Sequence, residues 1–287
     1  MRSGFVAVAG RPNVGKSTLV NALVGEKVAI VSHVPHTTRH RIRGVRTADD
    51  VQLVLVDLPG WQRPIDALTE RMQGRVQEAM ADDVDAVLLV VSARERIGAG
   101  DRYVARHVFA LGAPVVIGLN KVDRLKAGHI ATQMKTAATL GDFHALHPVS
   151  AKTGDGIAEL RSDLISLLPE GPAYYPADEK TDMPLDARIA ELVREQALRL
   201  TKEEVPHAVT AEVVEIDDRR VHVRIYTETE SQKQILIGKG GTMVREIGRW
   251  ARPAIEQLLG HPIYLQLQVK SSPKWRRNET MLERLGL

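Results

Sequence analysis

The stretch Gly10-Arg11-Pro12-Asn13-Val14-Gly15-Lys16-Ser17 has the spacing G-x-x-x-x-G-K-[ST] and lies between an apolar run at 5–9 and a helical pattern at 16–24. Strand, glycine-bearing loop, then helix is the context in which this spacing carries chemistry. The glycines let backbone N–H groups turn inward around phosphate oxygens, and the helix N-terminus adds its positive dipole end. Gly10, Asn13, Val14 and Gly15 form this cradle, and Thr18 follows it on the helix. Lys16 is placed for the β- and γ-phosphates and Ser17 for Mg²⁺. A mere strand-to-helix turn is the competing reading, and the following motifs weigh against it.

Asp57-Leu58-Pro59-Gly60 closes a second apolar run at 51–56. A carboxylate there can hold Mg²⁺ through a water, and the Gly60 N–H can meet a γ-phosphate. Asn120-Lys121-Val122-Asp123 follows the run 115–119. A carboxylate at Asp123 accepts from the two donors on the guanine edge, whereas adenine would leave it unpaired, so such a site rejects the wrong base strongly. The stem of Lys121 can cover the base. Ser150-Ala151-Lys152 ends another strand pattern, where the Ala151 N–H can reach the guanine carbonyl. Four motifs in this order, each at a strand end, specify GTP or GDP with Mg²⁺.

The loop Ser32-His33-Val34-Pro35-His36-Thr37-Thr38-Arg39-His40 is polar and carries a proline. A threonine hydroxyl here can ligate Mg²⁺ when GTP is bound, which makes the loop a switch. Thr38 is favoured because it directly precedes Arg39; the sequence leaves Thr37 open. Lys16, Thr38 and Gly60 are the candidate catalytic residues, with Ser17, Thr38 and Asp57 around the metal. The spacing of His33, His36 and His40 fits no common zinc site, so they read as exposed loop residues. Trp61 stands where many GTPases carry a water-orienting glutamine. Indole is only a donor, so Trp61 is expected to fold away, leaving the water to switch backbone or a monovalent cation and slowing turnover.

Working outward, apolar runs at 5–9, 51–56, 84–91, 114–119 and 145–149 alternate with helical patterns at 16–24, 69–80, 101–111 and 157–168. That alternation predicts an α/β fold with a mostly parallel sheet and helices on both faces. With 287 residues, two domains are expected. The Pro- and Gly-rich stretch 169–176, followed by a polar run, reads as a linker. The division is 1–170 for the nucleotide-binding domain, 171–184 for the linker and 185–287 for the second domain. Cysteine is absent, which excludes disulfides and thiolate metal sites. No apolar run approaches the roughly 20 residues of a membrane span, and the apolar start reads as a strand, not a signal peptide.

Past the linker the order is helix, strand, strand, helix, helix, strand and a short helix from about 278. Ile237-Gly238-Lys239-Gly240-Gly241 lies between the two central helices and contains the G-x-x-G form that clamps a single-stranded nucleic-acid backbone. Nine Lys or Arg, Arg245 and Lys270 among them, fall between Ser231 and Arg277, against only Glu246 and Glu256. Isolated G-x-x-G is weak, and a basic patch alone is usually a solvated face; the combination points to RNA, with Ile237 to Gly241, Arg245 and Lys270 as contacts. Trp275 either stacks on RNA or closes the core, and the core reading leads because single aromatics more often pack.

The motifs GRPNVGKSTL, PHTTRHRI, DLPG, NKVD, SAKTG and ESQKQILIGKGG, with the closing W…LERLG, make nearly the whole chain resemble the Era-like family of bacterial GTPases. The resemblance implies a P-loop NTPase G domain followed by an α+β, type II KH domain. It implies small-subunit (30S) ribosome assembly through binding near the 3′ end of 16S rRNA. It also implies action in the cytoplasm as a monomer, with peripheral association at the inner membrane. Asn13 matches a P-loop asparagine linked in related GTPases to K⁺. Three positions depart from the family pattern: Leu58 for a threonine, His36 for a frequent glutamine, and Pro253 inside the helix after the KH loop, where it should remove a hydrogen bond and kink the helix. The rival reading is a signalling G protein whose C-terminal domain docks on protein or membrane. A third, an enzyme acting on RNA, lacks an acid–base constellation.

Overall fold

In the computed structural model, residues 1–35, 37–61, 66–81 and 84–287 are described, the side chains of 75 and 77–81 excepted. The chain divides into two compact units: Met1–Ala29, Thr38–Pro64 and Arg71–Asp182 form the first, and Ile30–Thr37, Ile65–Glu70 and Met183–Leu287 the second.

Six strands make the sheet of the first unit: β1 (Arg2–Ala9), β2 (Ile42–Ala48), β3 (Val51–Asp57), β4 (Ala86–Ser92), β5 (Val115–Asn120) and β6 (Ala145–Pro148). Their order is β2-β3-β1-β4-β5-β6. β3, β1, β4, β5 and β6 run parallel, and β2 pairs antiparallel with β3. The central strands are nearly continuous Val, Leu, Ile and Ala because both faces are covered. β4, with the sequence AVLLVVS, is buried at every position. The connecting helices are α1 (Lys16–Val24), α2 (Ala67–Ala81), α3 (Ala99–Phe109), α4 (Ala127–Ala137) and α5 (Ile157–Ser166). Alternate strand residues feed two cores. Val6, Val8, Leu88 and Val90 pack with α1 and α5 on one face. Ala7, Val87, Leu89 and Ile117 pack with α3 on the other.

The expected α/β fold is therefore present, with β2 added at the edge. Its sequence, IRGVRTA, mixes polar and apolar residues, as an edge strand does. The stretch read as a linker is strapped to the first unit. Gln52 is fully buried; its side-chain oxygen accepts from the Tyr174 and Tyr175 amides at 2.7 and 3.0 Å, and its nitrogen donates to the Tyr175 carbonyl at 2.8 Å. Val45 N–H donates to Lys180 O at 2.8 Å, and Arg43 pairs with Asp182 at 3.2 Å.

The second unit contains α6 (Leu185–Leu200), the single-turn α7 (Val205–Ala208), β7 (Thr210–Ile216), β8 (Arg220–Thr227), α8 (Glu230–Ile237), α9 (Thr242–Leu259), β9 (Tyr264–Ser271) and α10 (Glu279–Arg284). Its sheet order is β7-β8-β9, with β7/β8 antiparallel and β8/β9 parallel. Val221, Val223 and Ile225 of β8 face a core shared with Ile189 and Val193 of α6 and Ile247, Ala251 and Ile255 of α9. A capping box between Thr229 and Gln232 starts α8. The helix α9 continues past Pro253. Pro253 lies on the exposed side, where water can satisfy the carbonyl that the missing N–H leaves behind. Trp275 is fully buried, its indole N–H donating to Ala208 O at 2.8 Å, so it belongs to the core and not to a stacking surface.

Candidate nucleotide and RNA sites

Every nucleotide motif of the first unit lies at the carboxyl end of a parallel strand, where open α/β sheets bind ligands. β1 delivers Gly10–Lys16 and β3 ends at Asp57. Gly60 approaches the loop so closely that a Cβ there would sit 2.8 Å from Pro12 Cγ, which explains why this position has no side chain. The Lys16 ammonium is buried and donates to Gly10 O at 3.2 Å and Arg11 O at 3.0 Å. Burial lowers its pKa to about 8, opposed by the charge of Asp57. Burial also raises the Asp57 carboxyl to about 6, against the pull of Lys16 and of hydrogen bonds from Ser17 and Thr38.

Ser17 Oγ and Thr38 Oγ1 are 2.8 Å apart, and Thr38 Oγ1 donates to Asp57 Oδ2 at 3.4 Å. Asp57 is fully buried, and its Oδ1 has no hydrogen-bond partner among the described residues. Two hydroxyls and a carboxylate oxygen without a donor form the all-oxygen set that suits Mg²⁺. Thr37 turns the other way: its hydroxyl donates to Val34 O at 2.6 Å and lies 2.7 Å from Ser32 Oγ. Trp61 is 9% exposed and lies in the core with α3, its ring 4.8 Å from that of His107. Its side chain thus packs into the core of the first unit, as expected for a residue that folds away. Of the loop histidines, His36 lies outside the described residues. Among those described, no group of three or more His, Cys, Asp or Glu is arranged to hold a metal.

On the base side Asn120 is a hub. Its Nδ2 donates to Val14 O at 3.0 Å, and its Oδ1 accepts from Lys121 N at 2.8 Å and Ala151 N at 3.1 Å. One side chain thereby ties the P-loop, the N-K-x-D motif and the Ser150–Lys152 turn together. Gly15 has φ +97°, and a Cβ there would lie 2.4 Å from Asn120 Nδ2. Ser150 Oγ donates to Asp123 Oδ1 at 3.3 Å, steering the carboxylate that would read the base. The Lys121 ammonium donates to Asn13 O at 2.5 Å, so its stem lies alongside the P-loop. Lys152 is exposed.

In the second unit, Gly238, Gly240 and Gly241 all have positive φ (73°, 61° and 77°), and the loop they form opens directly into α9. Lys239 and Gly240 are exposed and Ile237 is half-buried. Arg245 folds back on the loop, donating to Gly240 O and, at 3.1 Å, to Gly241 O. Beyond it, α9 and β9 enclose a groove of about 370 Å³ floored by Leu265 and Leu267 and rimmed by Arg245, Arg249, Arg252 and Tyr264. Tyr264 is 67% exposed. The shape is that of an apolar floor for bases with cations for phosphates. Lys270, expected beside this surface, is outside the groove lining, five residues along β9 from Leu265. Sequence reasoning missed the groove: Arg245, Arg249 and Arg252 follow the helical spacing of one face and Leu265 and Leu267 the strand spacing of two, a joint signal that could have found it.

A family model described as "50S ribosome-binding GTPase" matches residues 5–121, and one described as "KH domain" matches residues 199–276. GTPase Era of Mycolicibacterium smegmatis is 44% identical over 99% of this chain and 98% of its own. The chain belongs to the Era family of GTPases. GTPase Era of Mycobacterium tuberculosis H37Rv is also 44% identical, again over 99% of this chain and 98% of its own. Among solved structures, Era in complex with MgGDPNP and nucleotides 1506–1542 of 16S ribosomal RNA superposes with a TM-score of 0.95 at 35% identity, covering 100% of this chain and 99% of that one. A point variant of Aquifex aeolicus Era bound to GDP·AlF₄⁻ gives 0.93, also at 35% identity and with the same coverage. Era membership makes the first unit a GTP-hydrolysing G domain and the second a KH domain.

Proposed function

We propose that this GTPase binds single-stranded RNA near the 3′ end of 16S rRNA with its KH domain and acts in assembly of the small ribosomal subunit, in the cytoplasm. The observation that carries the RNA reading is the glycine loop at the start of α9 leading into the basic-rimmed groove between α9 and β9. The positive dipole end of α9 at this loop suits a phosphate. The relative solved with nucleotides 1506–1542 of 16S ribosomal RNA supports the choice of RNA.

At the G domain, Lys16 and the P-loop amides hold the phosphates, and Asp123, steered by Ser150, selects guanine. Ser17, Thr38 and Asp57 would hold Mg²⁺, which when bound neutralises charge on the phosphates. With Trp61 packed on α3, the attacking water is held by switch backbone, assisted by K⁺ beside Asn13.

The test is binding of a labelled oligonucleotide matching the 3′ end of 16S rRNA at several salt concentrations. Affinity should fall steeply with salt, and Gly238→Asp should weaken it while GTP hydrolysis persists. Binding that ignores both salt and Gly238→Asp would favour a signalling G protein.

A further inference from the structure

Groups of the first unit hold the P-loop at two places. The inner half is fixed by Asn120 and Lys121, whose side chains donate to Val14 O at 3.0 Å and to Asn13 O at 2.5 Å. The outer half, Gly10 to Pro12, is held through the side chain of Arg11. Its Nε donates to Asp101 Oδ1 at 2.9 Å and its Nη2 to Glu95 Oε2 at 2.8 Å. Glu95 is exposed, so that pairing is worth little. Asp101 is 4% exposed, and its pairing is the stronger anchor. It stands in the first turn of α3, where its Oδ2 accepts from the Gly98 amide at 2.9 Å and caps the helix. The same turn leaves room for the arginine stem: at Gly100 a Cβ would lie 2.7 Å from Arg11 Cδ.

The other side of Gly10–Pro12 meets the loop after β3. A Cβ on Gly60 would lie 2.8 Å from both the nitrogen and Cγ of Pro12. The Trp61 amide donates to Gly10 O at 3.2 Å. The outer half of the P-loop is therefore the wall against which Gly60 rests. Helix α3 gives both parts a common footing, since Asp101 grips Arg11 and His107 packs on the Trp61 ring. From this geometry we infer that Arg11 is a positioning residue for GTP hydrolysis: through Asp101 it fixes the wall that sets the Gly60 N–H toward the γ-phosphate. The inference rests on the γ-phosphate reading of Gly60 given above. It assigns a role to a position whose residue type the spacing G-x-x-x-x-G-K-[ST] leaves open.

Because the two anchors are separate, loss of the outer one should be visible in turnover and not in GDP binding. The cradle at 13–17 stays tied to Asn120 in either case. Asp101→Asn keeps an oxygen for the Gly98 amide, and so the helix cap, but it turns an NH₂ toward Arg11 Nε, donor against donor. In this variant kcat for GTP should fall about tenfold or more, the worth of one hydrogen bond between charged groups, while GDP affinity stays at the wild-type value. Arg11→Gln should show the same drop. The double variant Arg11→Gln/Asp101→Asn should lose nothing further, since both changes remove one contact. Thermal melting checks that each variant is folded at the assay temperature. Gly60→Ala, measured beside them, should stop hydrolysis with GDP still bound. If Gly60→Ala behaves so but Asp101→Asn and Arg11→Gln turn over GTP like wild type, the role of Arg11 is overturned and the Gly60 reading stands. A loss of GDP affinity in proportion to kcat, or a further drop in the double variant, would overturn it equally. If Gly60→Ala hydrolyses GTP at the wild-type rate, the γ-phosphate reading falls, and the Arg11 role with it.

Discussion

Ser17 Oγ and Thr38 Oγ1 stand 2.8 Å apart although 21 positions separate the two residues in the chain. The first hydroxyl is carried by a helix that begins at the P-loop, the second by a loop without regular structure. Thr38→Ala should therefore lower kcat about 100-fold or more and weaken Mg²⁺-dependent GTP binding, whereas Thr37→Ala, whose hydroxyl only braces its own loop, should act several-fold more weakly. Phosphate release under single-turnover conditions separates them, and equal losses would remove the distinction between the two threonines.

Base selection depends on a carboxylate held from behind. Asp123→Asn should shift preference from guanine toward xanthine nucleotides, because an amide can donate where the carboxylate only accepts. Ser150→Ala removes the hydroxyl that steers Asp123 and should weaken GDP binding by about 1 kcal/mol with guanine preference kept. Competition with ATP, XTP and GTP analogues reads both effects; retained guanine preference in Asp123→Asn would exclude this carboxylate as the base reader.

Burial holds the Asp57 carboxyl at about 6 against an ordinary value of 3.8. As pH rises from 4 to 6 the unfolded chain loses this proton before the folded one does, so nucleotide-free protein should lose stability across that window and not regain it above. The shift is worth roughly 3 kcal/mol at its limit. Asp57→Asn should remove this part of the pH dependence, and Mg²⁺-dependent binding should be lost with it. Denaturation at pH 4.5 and 7 without nucleotide is the measurement, and a wild-type profile in the variant would contradict the assignment. Lys16, lowered to about 8, acts in the opposite sense at the alkaline end, adding stability as pH rises from 8 toward 10.5.

Trp275→Ala should destabilise the second unit by about 3–5 kcal/mol. It opens a cavity and leaves Ala208 O without the indole donor. Urea unfolding followed by far-UV circular dichroism should show the loss while GDP binding to the first unit persists; an unshifted midpoint would mean that the ring is not part of the core.

The parts of this molecule that could be read from the chain are those whose partners are near in sequence or fixed by a short motif. Gly10–Ser17, Asp57–Gly60 and Asn120–Asp123 were readable because phosphate and guanine chemistry demand those residue types at those spacings. The central strands were readable because burial on both faces leaves unbroken apolar runs. β2 was not, because half of it faces away from the core. α4 was not either, for it contributes only Ala137 as a buried residue and so leaves a weak apolar stripe. The bond from Arg194 to the Thr37 carbonyl was invisible because the two residues lie 157 positions apart, and a buried arginine on a helix face is indistinguishable in sequence from an exposed one.

The strap along β2 and β3 bears on how the chain would be cut. By composition, 169–176 is where a protease should find the easiest entry, rich in proline, glycine and small residues. Yet the buried Gln52 side chain makes three hydrogen bonds to the backbone of Tyr174 and Tyr175, and a protease needs an extended, detachable backbone to seat a substrate. Brief digestion of the folded protein should therefore spare this stretch, and Gln52→Ala, by releasing it, should turn it into the first nick.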